Sequence, residues 1–256
     1  MTTPPENVTW RVLKNPDEVA RAASAEILTA IRLATGQGRC ARVALSGGHT
    51  PSLMYRLWAE EFQTQFPWEQ IELYWGDERC VPADDPLSNF RTVREDLLDR
   101  LPKPPRYFPM PAAQPDHEAA AHEYEVTLRS QISLDGPSFD VLLLGIGDEG
   151  HTASLFPESS ALAESQRWVV PVTVPADPPL RLTLTLPVLS RAANVFFLVT
   201  GESKRAIVRA IRTEPDASNR YPAAMVQSSV QAFAPAATHS RSRVVWFLDR
   251  PAASGS

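Results

Sequence analysis

Cysteine is nearly absent: the 256 residues hold only Cys40 and Cys80. Two thiols build neither a disulfide framework nor a clustered zinc site, and both are expected to be buried in a reducing compartment. Basic charge is not in excess. Lys and Arg number 25 against 30 Asp and Glu, giving a formal charge of −5. General attraction to nucleic acid is therefore absent, and only a local basic pocket for a small anion is left. No apolar run is long enough to span a bilayer. The opening MTTPPENVTW lacks a basic segment followed by an apolar core, so no secretory signal is expected. The expectation is a cytoplasmic protein without membrane or nucleic-acid partners. Metal signatures are missing as well, with no His-Glu-x-x-His and no paired cysteines.

What is present is ordinary for a globular chain: 43% hydrophobic and 21% charged residues. Asn15 caps a first helix that begins at Pro16 and carries the stripe Val19, Ala23, Ile27, Ile31 and Ala34. Short strands are predicted at Val43 to Leu45 and Ile71 to Trp75, in FDVLLLGIG, RWVVPVTVP, RLTLTL and NVFFLVTG, and in RVVWFLD. Pro171 marks its strand as an edge or irregular one. Helices alternate with these strands, with Thr50 and Ser88 as expected caps. The proline-rich stretch from Pro102 to Pro115 leaves room for one short strand, and Gln227 to Ser242 is expected to be a surface loop. No linker or repeat divides the chain. The pattern predicts a single α/β domain over residues 1–256: a mostly parallel sheet with helices on both faces, frayed at about 1–7 and 252–256.

Ligands in such sheets bind beyond the carboxyl ends of the strands, and three corners there carry unusual chemistry. Ser46-Gly47-Gly48-His49-Thr50-Pro51 combines a glycine turn with a helix start, which suits phosphate as well as a plain turn. It is no Walker loop, because no Gly-Lys-Ser/Thr follows. Gly76-Asp77-Glu78-Arg79 reads either as an exposed charged turn or as a carboxylate and a guanidinium held at the sheet's top. In DVLLLGIGDEGHTASLFPES, Gly145 and Gly147 permit a tight corner. Asp148, Glu149 and His151 then project near a predicted helix start, with Thr152 behind. A lone histidine is usually structural, but one beside carboxylates can be oriented as an acid or base. Arg181 and Lys204 are two further cations at a strand start and a helix start.

Five segments together resemble the 6-phosphogluconolactonase family: ALSGGHTP, LYWGDERCVPADDPLSNFRTVREDLL, DVLLLGIGDEGHTASLFP, RLTLTLPVLSRAANVFFLVTGESK and VVWFLD. They span nearly the whole chain in the family's order. The resemblance implies a Rossmann-like α/β fold and hydrolysis of 6-phospho-D-glucono-1,5-lactone in the oxidative pentose phosphate pathway. It implies no metal or organic cofactor. The partner is then a small sugar-phosphate lactone, and the chain is expected to be a monomer or weak homodimer. By that likeness His151 is the acid/base residue and Asp77 faces the sugar. Ser46, Gly47, Gly48, Thr50, Arg79, Arg181 and Lys204 surround the phosphate. One position departs: the family usually has Asp-Gly-His where this chain has Glu149-Gly150-His151. Either Glu149 orients the histidine from a shifted backbone, or that carboxylate is dispensable, or Asp148 substitutes for it.

A δ-lactone is already a reactive ester, so one positioned water and one base suffice, and no Gly-x-Ser-x-Gly elbow is present for a serine acyl-enzyme. Two rivals stand beside this reading. A sugar-phosphate isomerase or deaminase of the same fold would use Asp77 as a carboxylate base. Deaminases, however, typically continue Ile-Ala-Phe-Asn-Glu-Pro where this chain has Thr152-Ala153-Ser154-Leu155-Phe156-Pro157. A non-catalytic sugar-phosphate sensor would gain from a DNA-binding extension, and the sequence carries none.

Overall fold

Seven strands form one all-parallel sheet in the order β1-β10-β9-β6-β2-β3-β5 in a computed structural model that describes residues 7–132, 136–232 and 242–254. The strands are β1 (Val8–Leu13), β2 (Ala41–Leu45), β3 (Ile71–Trp75), β4 (Asp77–Arg79), β5 (Arg106–Phe108), β6 (Val141–Leu144), β7 (Val169–Thr173), β8 (Leu180–Leu184), β9 (Asn194–Val199) and β10 (Arg243–Asp249). The helices are α1 (Pro16–Thr35), α2 (His49–Glu60), α3 (Asn89–Asp96), α4 (His117–Gln131), α5 (Leu186–Leu189), α6 (Arg205–Thr213), α7 (Ala217–Arg220), α8 (Pro222–Ala232) and α9 (Arg250–Ala253). Strand β6 is apolar along its whole length, and every residue of β3 and β6 is buried, as a sheet covered on both faces requires. In α1 the predicted stripe is fully buried, and Asn15 accepts the Glu18 amide as its cap. No helix among the described residues is long and apolar enough to cross a membrane.

The chain runs from β2 outward to β3 and β5, then returns to place β6 on the other side of β2. This reversal opens a crevice at the carboxyl ends of β2 and β6. The corners at Ser46 and Gly145 flank it.

Several expectations need correction. Asp77 to Arg79 is not an exposed turn but strand β4 of a second, antiparallel sheet, ordered β4-β8-β7. The pairing is with β8, far along the chain, so local sequence cannot reveal it. Pro171 does lie in an edge strand of that sheet. No helix follows the Gly145–Gly147 corner. Gly147 donates its amide to the His151 carbonyl, the Thr152 hydroxyl bonds the Gly145 carbonyl at 2.8 Å, and an isolated bridge joins Thr152 to Leu155. Those bonds close the segment into a compact loop. Thr50 does not cap α2, whose N-cap is Gly48; its hydroxyl instead meets that of Thr200 at 2.7 Å.

Gln227 to Ala232 continues α8 rather than forming a loop, while residues 233–241 lie outside the described residues. Both ends are tied down further than expected. Asn7 extends the ladder by accepting from Val244 and donating to Ser242, and Ala252 and Ala253 are buried in α9, which Asp249 caps. Cys40 and Cys80 are both half-buried rather than buried.

Candidate active site

The turn after β2 is fixed from behind. Tyr55 of α2, fully buried, accepts the Ser46 amide at 3.2 Å and donates to the Ser46 carbonyl at 2.7 Å. Among the described residues no side chain caps α2, so its first turn presents free amides beside the turn. Gly47 is required here by a close approach: a Cβ would run into Oδ1 of Asn89.

Asn89 opens α3 just after its cap, Ser88, and is 2% exposed. Its amide nitrogen donates to the carbonyl of Asp77 at 3.0 Å and to Oδ1 of the same residue at 3.4 Å. Ser154, fully buried, donates its hydroxyl to Asp77 Oδ2 at 2.8 Å. The Asp77 carboxylate is therefore buried yet held by donors from two other segments. Its neighbour Glu78 faces the opposite way, as alternation in a strand demands. Glu78 accepts the amides of Arg79, Asn89 and Phe90 at 2.7, 2.8 and 2.7 Å. Burial pushes the Glu78 carboxyl above its ordinary range, against the pull of those amides. Its work is to bind β4 to the start of α3.

Arg79 lies directly across from Arg181 in the β4–β8 ladder. Like charges placed opposite each other on a sheet are unfavourable unless an anion joins them. Arg79 donates to the Leu87 carbonyl at 2.6 Å, and its buried Nε has no hydrogen-bond partner among the described residues. Arg181, 6% exposed, donates to the Pro178 carbonyl at 3.2 Å. Burial first, and then the Arg79 charge, lower the pKa of Arg181.

In the third corner the imidazole of His151 stacks on Phe156, with centroids 4.0 Å apart. Nδ1 is buried and lies 3.1 Å from Glu149 Oε1, near enough for an ion pair but not aligned for a hydrogen bond. Gly147 makes the packing possible: a Cβ there would collide with His151 Nδ1 and with the Glu149 carboxylate. With Nδ1 enclosed, Nε2 is the ring nitrogen left for proton transfer. Asp148 turns away from the histidine and pairs with Lys204 at 2.7 Å.

These corners meet on one cavity of about 510 Å³. Ser46, Gly47, Gly48, Thr50, Asp77, Arg79, His151, Arg181 and Lys204 all line it, and Glu149 stands behind it. Residues 14–234 match the profile described as glucosamine-6-phosphate isomerases/6-phosphogluconolactonase.

The chain belongs to this family.

The 6-phosphogluconolactonase of Synechocystis sp. is 36% identical over 245 residues, covering 94% of this chain and 95% of its own. That of Mycobacterium tuberculosis is 36% identical over 252 residues, covering 95% of this chain and 96% of its own. The solved structure of the 6-phosphogluconolactonase from Trypanosoma brucei matches with a TM-score of 0.79 at 29% identity, over 96% of this chain and 97% of that one. The α/β fold with its parallel sheet is thus the fold of known family members.

Sequence reasoning missed His49, Asn89 and Thr200, which also line the cavity, and Ser154 behind Asp77. Asn89 sat in plain view beside Ser88, whose capping role explained the pair too easily. Among the described residues no group of three His, Cys, Asp or Glu is placed to hold a metal ion.

Proposed function

We propose that this chain hydrolyses 6-phospho-D-glucono-1,5-lactone to 6-phospho-D-gluconate, the lactonase step of the oxidative pentose phosphate pathway, with His151 as general acid and base. The observation that carries the reading is the composition of the cavity wall. It combines a histidine whose Nδ1 is enclosed with two arginines set opposite each other and, among the described residues, hydrogen-bonded to carbonyls.

In this reading Arg79 and Arg181 hold the phosphate, with Lys204 and the uncapped start of α2 completing its shell. Anchoring the phosphate orients a reacting carbon several bonds away. His151 Nε2 takes a proton from water as the water attacks the lactone carbonyl. The resulting imidazolium returns that proton to the ring oxygen as the C–O bond breaks. Glu149, its Oε1 3.1 Å from Nδ1, helps fix the orientation of the ring. Asp77, fixed by Ser154 and Asn89, accepts a hydroxyl of the sugar. Backbone amides of the glycine turns steady the oxyanion. The reading carries no metal, no organic cofactor and no nucleic-acid partner. It also carries a cytoplasmic location and a monomer or weak homodimer.

The test is proton release from freshly made 6-phosphogluconolactone, corrected for spontaneous hydrolysis, beside glucosamine 6-phosphate. Accelerated acid release from the lactone alone is expected. Turnover of glucosamine 6-phosphate instead would move Asp77 to the role of base and make the chain a deaminase.

A further inference from the structure

Three side chains with a lasting positive charge line the cavity, and they are held in two different ways. Arg79 and Arg181 are held by the neutral carbonyls of Leu87 and Pro178. Neither is ion-paired to a carboxylate among the described residues, so both keep their full charge for a ligand. Lys204 instead donates to Asp148 Oδ1 at 2.7 Å. Asp148 does not line the cavity. It stands on the turn between Gly147 and Gly150, its side chain 68% exposed against 25% for Lys204. The carboxylate thus offsets one of the three charges.

We propose that Asp148 is a positioning residue that competes with bound phosphate for Lys204. The inference rests on reading the cavity as a phosphate site. A phosphate dianion carries more charge than a carboxylate and offers more acceptor oxygens, so it takes Lys204 from Asp148. When the ligand leaves, Asp148 takes the ammonium back. Substrate and product carry the same phosphate, so tighter phosphate binding holds both equally and does not lower the chemical barrier. Asp148 keeps that shared grip moderate and eases product departure.

An exposed pair of this kind shifts affinity by roughly 1.5- to 5-fold. Competitive inhibition by inorganic phosphate reads it directly, because phosphate has no lactone to react. In Asp148→Asn the inhibition constant of inorganic phosphate and the Michaelis constant for the lactone should both fall by about that factor, without a rise in kcat. In a Lys204→Ala background Asp148→Asn should change neither. Phosphate bound no tighter by Asp148→Asn would overturn the proposal. An equal gain in the Lys204→Ala background would also overturn it, since the effect would then be general charge. Should Arg79→Ala and Lys204→Ala both leave phosphate inhibition untouched, the phosphate reading of the cavity falls, and this proposal with it.

Discussion

The Ser154 hydroxyl donates to Asp77 Oδ2 at 2.8 Å, joining two residues 77 positions apart in sequence. One belongs to the histidine corner and the other to β4, so this single bond ties the two corners together. Both residues are buried, with Ser154 at 0% and Asp77 at 6% exposure. Ser154→Ala leaves a buried carboxylate short of a donor, which costs about 1–3 kcal/mol. Thermal unfolding should shift downward accordingly, and kcat/KM should fall while inorganic phosphate still inhibits as in the parent. An unchanged melting temperature and unchanged kinetics would make the bond incidental.

Gly147 offers a sharper separation of binding from chemistry. A methyl group there collides first with the His151 ring and the Glu149 carboxylate. Gly147→Ala should therefore displace the imidazole and lower kcat, by up to about 10²-fold. Calorimetric binding of 6-phosphogluconate should stay within a few-fold of the parent. Retained turnover would show that the histidine's seat is not critical.

The parts of this site legible in sequence were those built within one short segment. Glycines after the apolar run Val43 to Leu45 and after β6 announce corners, and His151 stands out because polar residues follow a wholly apolar run. The parts that were not legible depend on distant partners. Asp77–Arg79 looked like a turn because β8, which pairs with it, comes much later in the chain. Asn89 and Ser154 act through hydrogen bonds to Asp77, a partner that lies outside their own segments. The second sheet was missed for the same reason, whereas the parallel sheet follows from local alternation of strands and helices.

Cys80 supplies a prediction about pH. Burial, and then the nearby Glu78 charge, push its thiol up to about 11. Raising the pKa favours the protonated form, so at neutral pH the reactive thiolate is scarce. Alkylation of Cys80 by iodoacetamide, followed by peptide mass spectrometry, should speed up about tenfold per pH unit between pH 7 and 9. A rate already level by pH 8 would mean that the thiol is not held in its protonated form.

Arg79 should distinguish the phosphate from the sugar. A charge-assisted hydrogen bond is worth about 1.5–3 kcal/mol, so Arg79→Ala should weaken 6-phosphogluconate binding roughly ten- to a hundredfold. Binding of plain gluconate should hardly change, and Arg79→Lys should rescue only in part because the planar fork is lost. Equal losses for the two ligands in calorimetry would assign Arg79 to the fold or to the sugar.

The central claim is that His151 moves the proton in lactone hydrolysis, and the most direct measurement is the turnover of His151→Ala on fresh 6-phosphogluconolactone. General acid–base catalysis contributes about 10²–10⁴-fold, so kcat should fall by that order while 6-phosphogluconate binds nearly as in the parent. A folded His151→Ala protein that turns the lactone over at close to the parent rate would contradict the account.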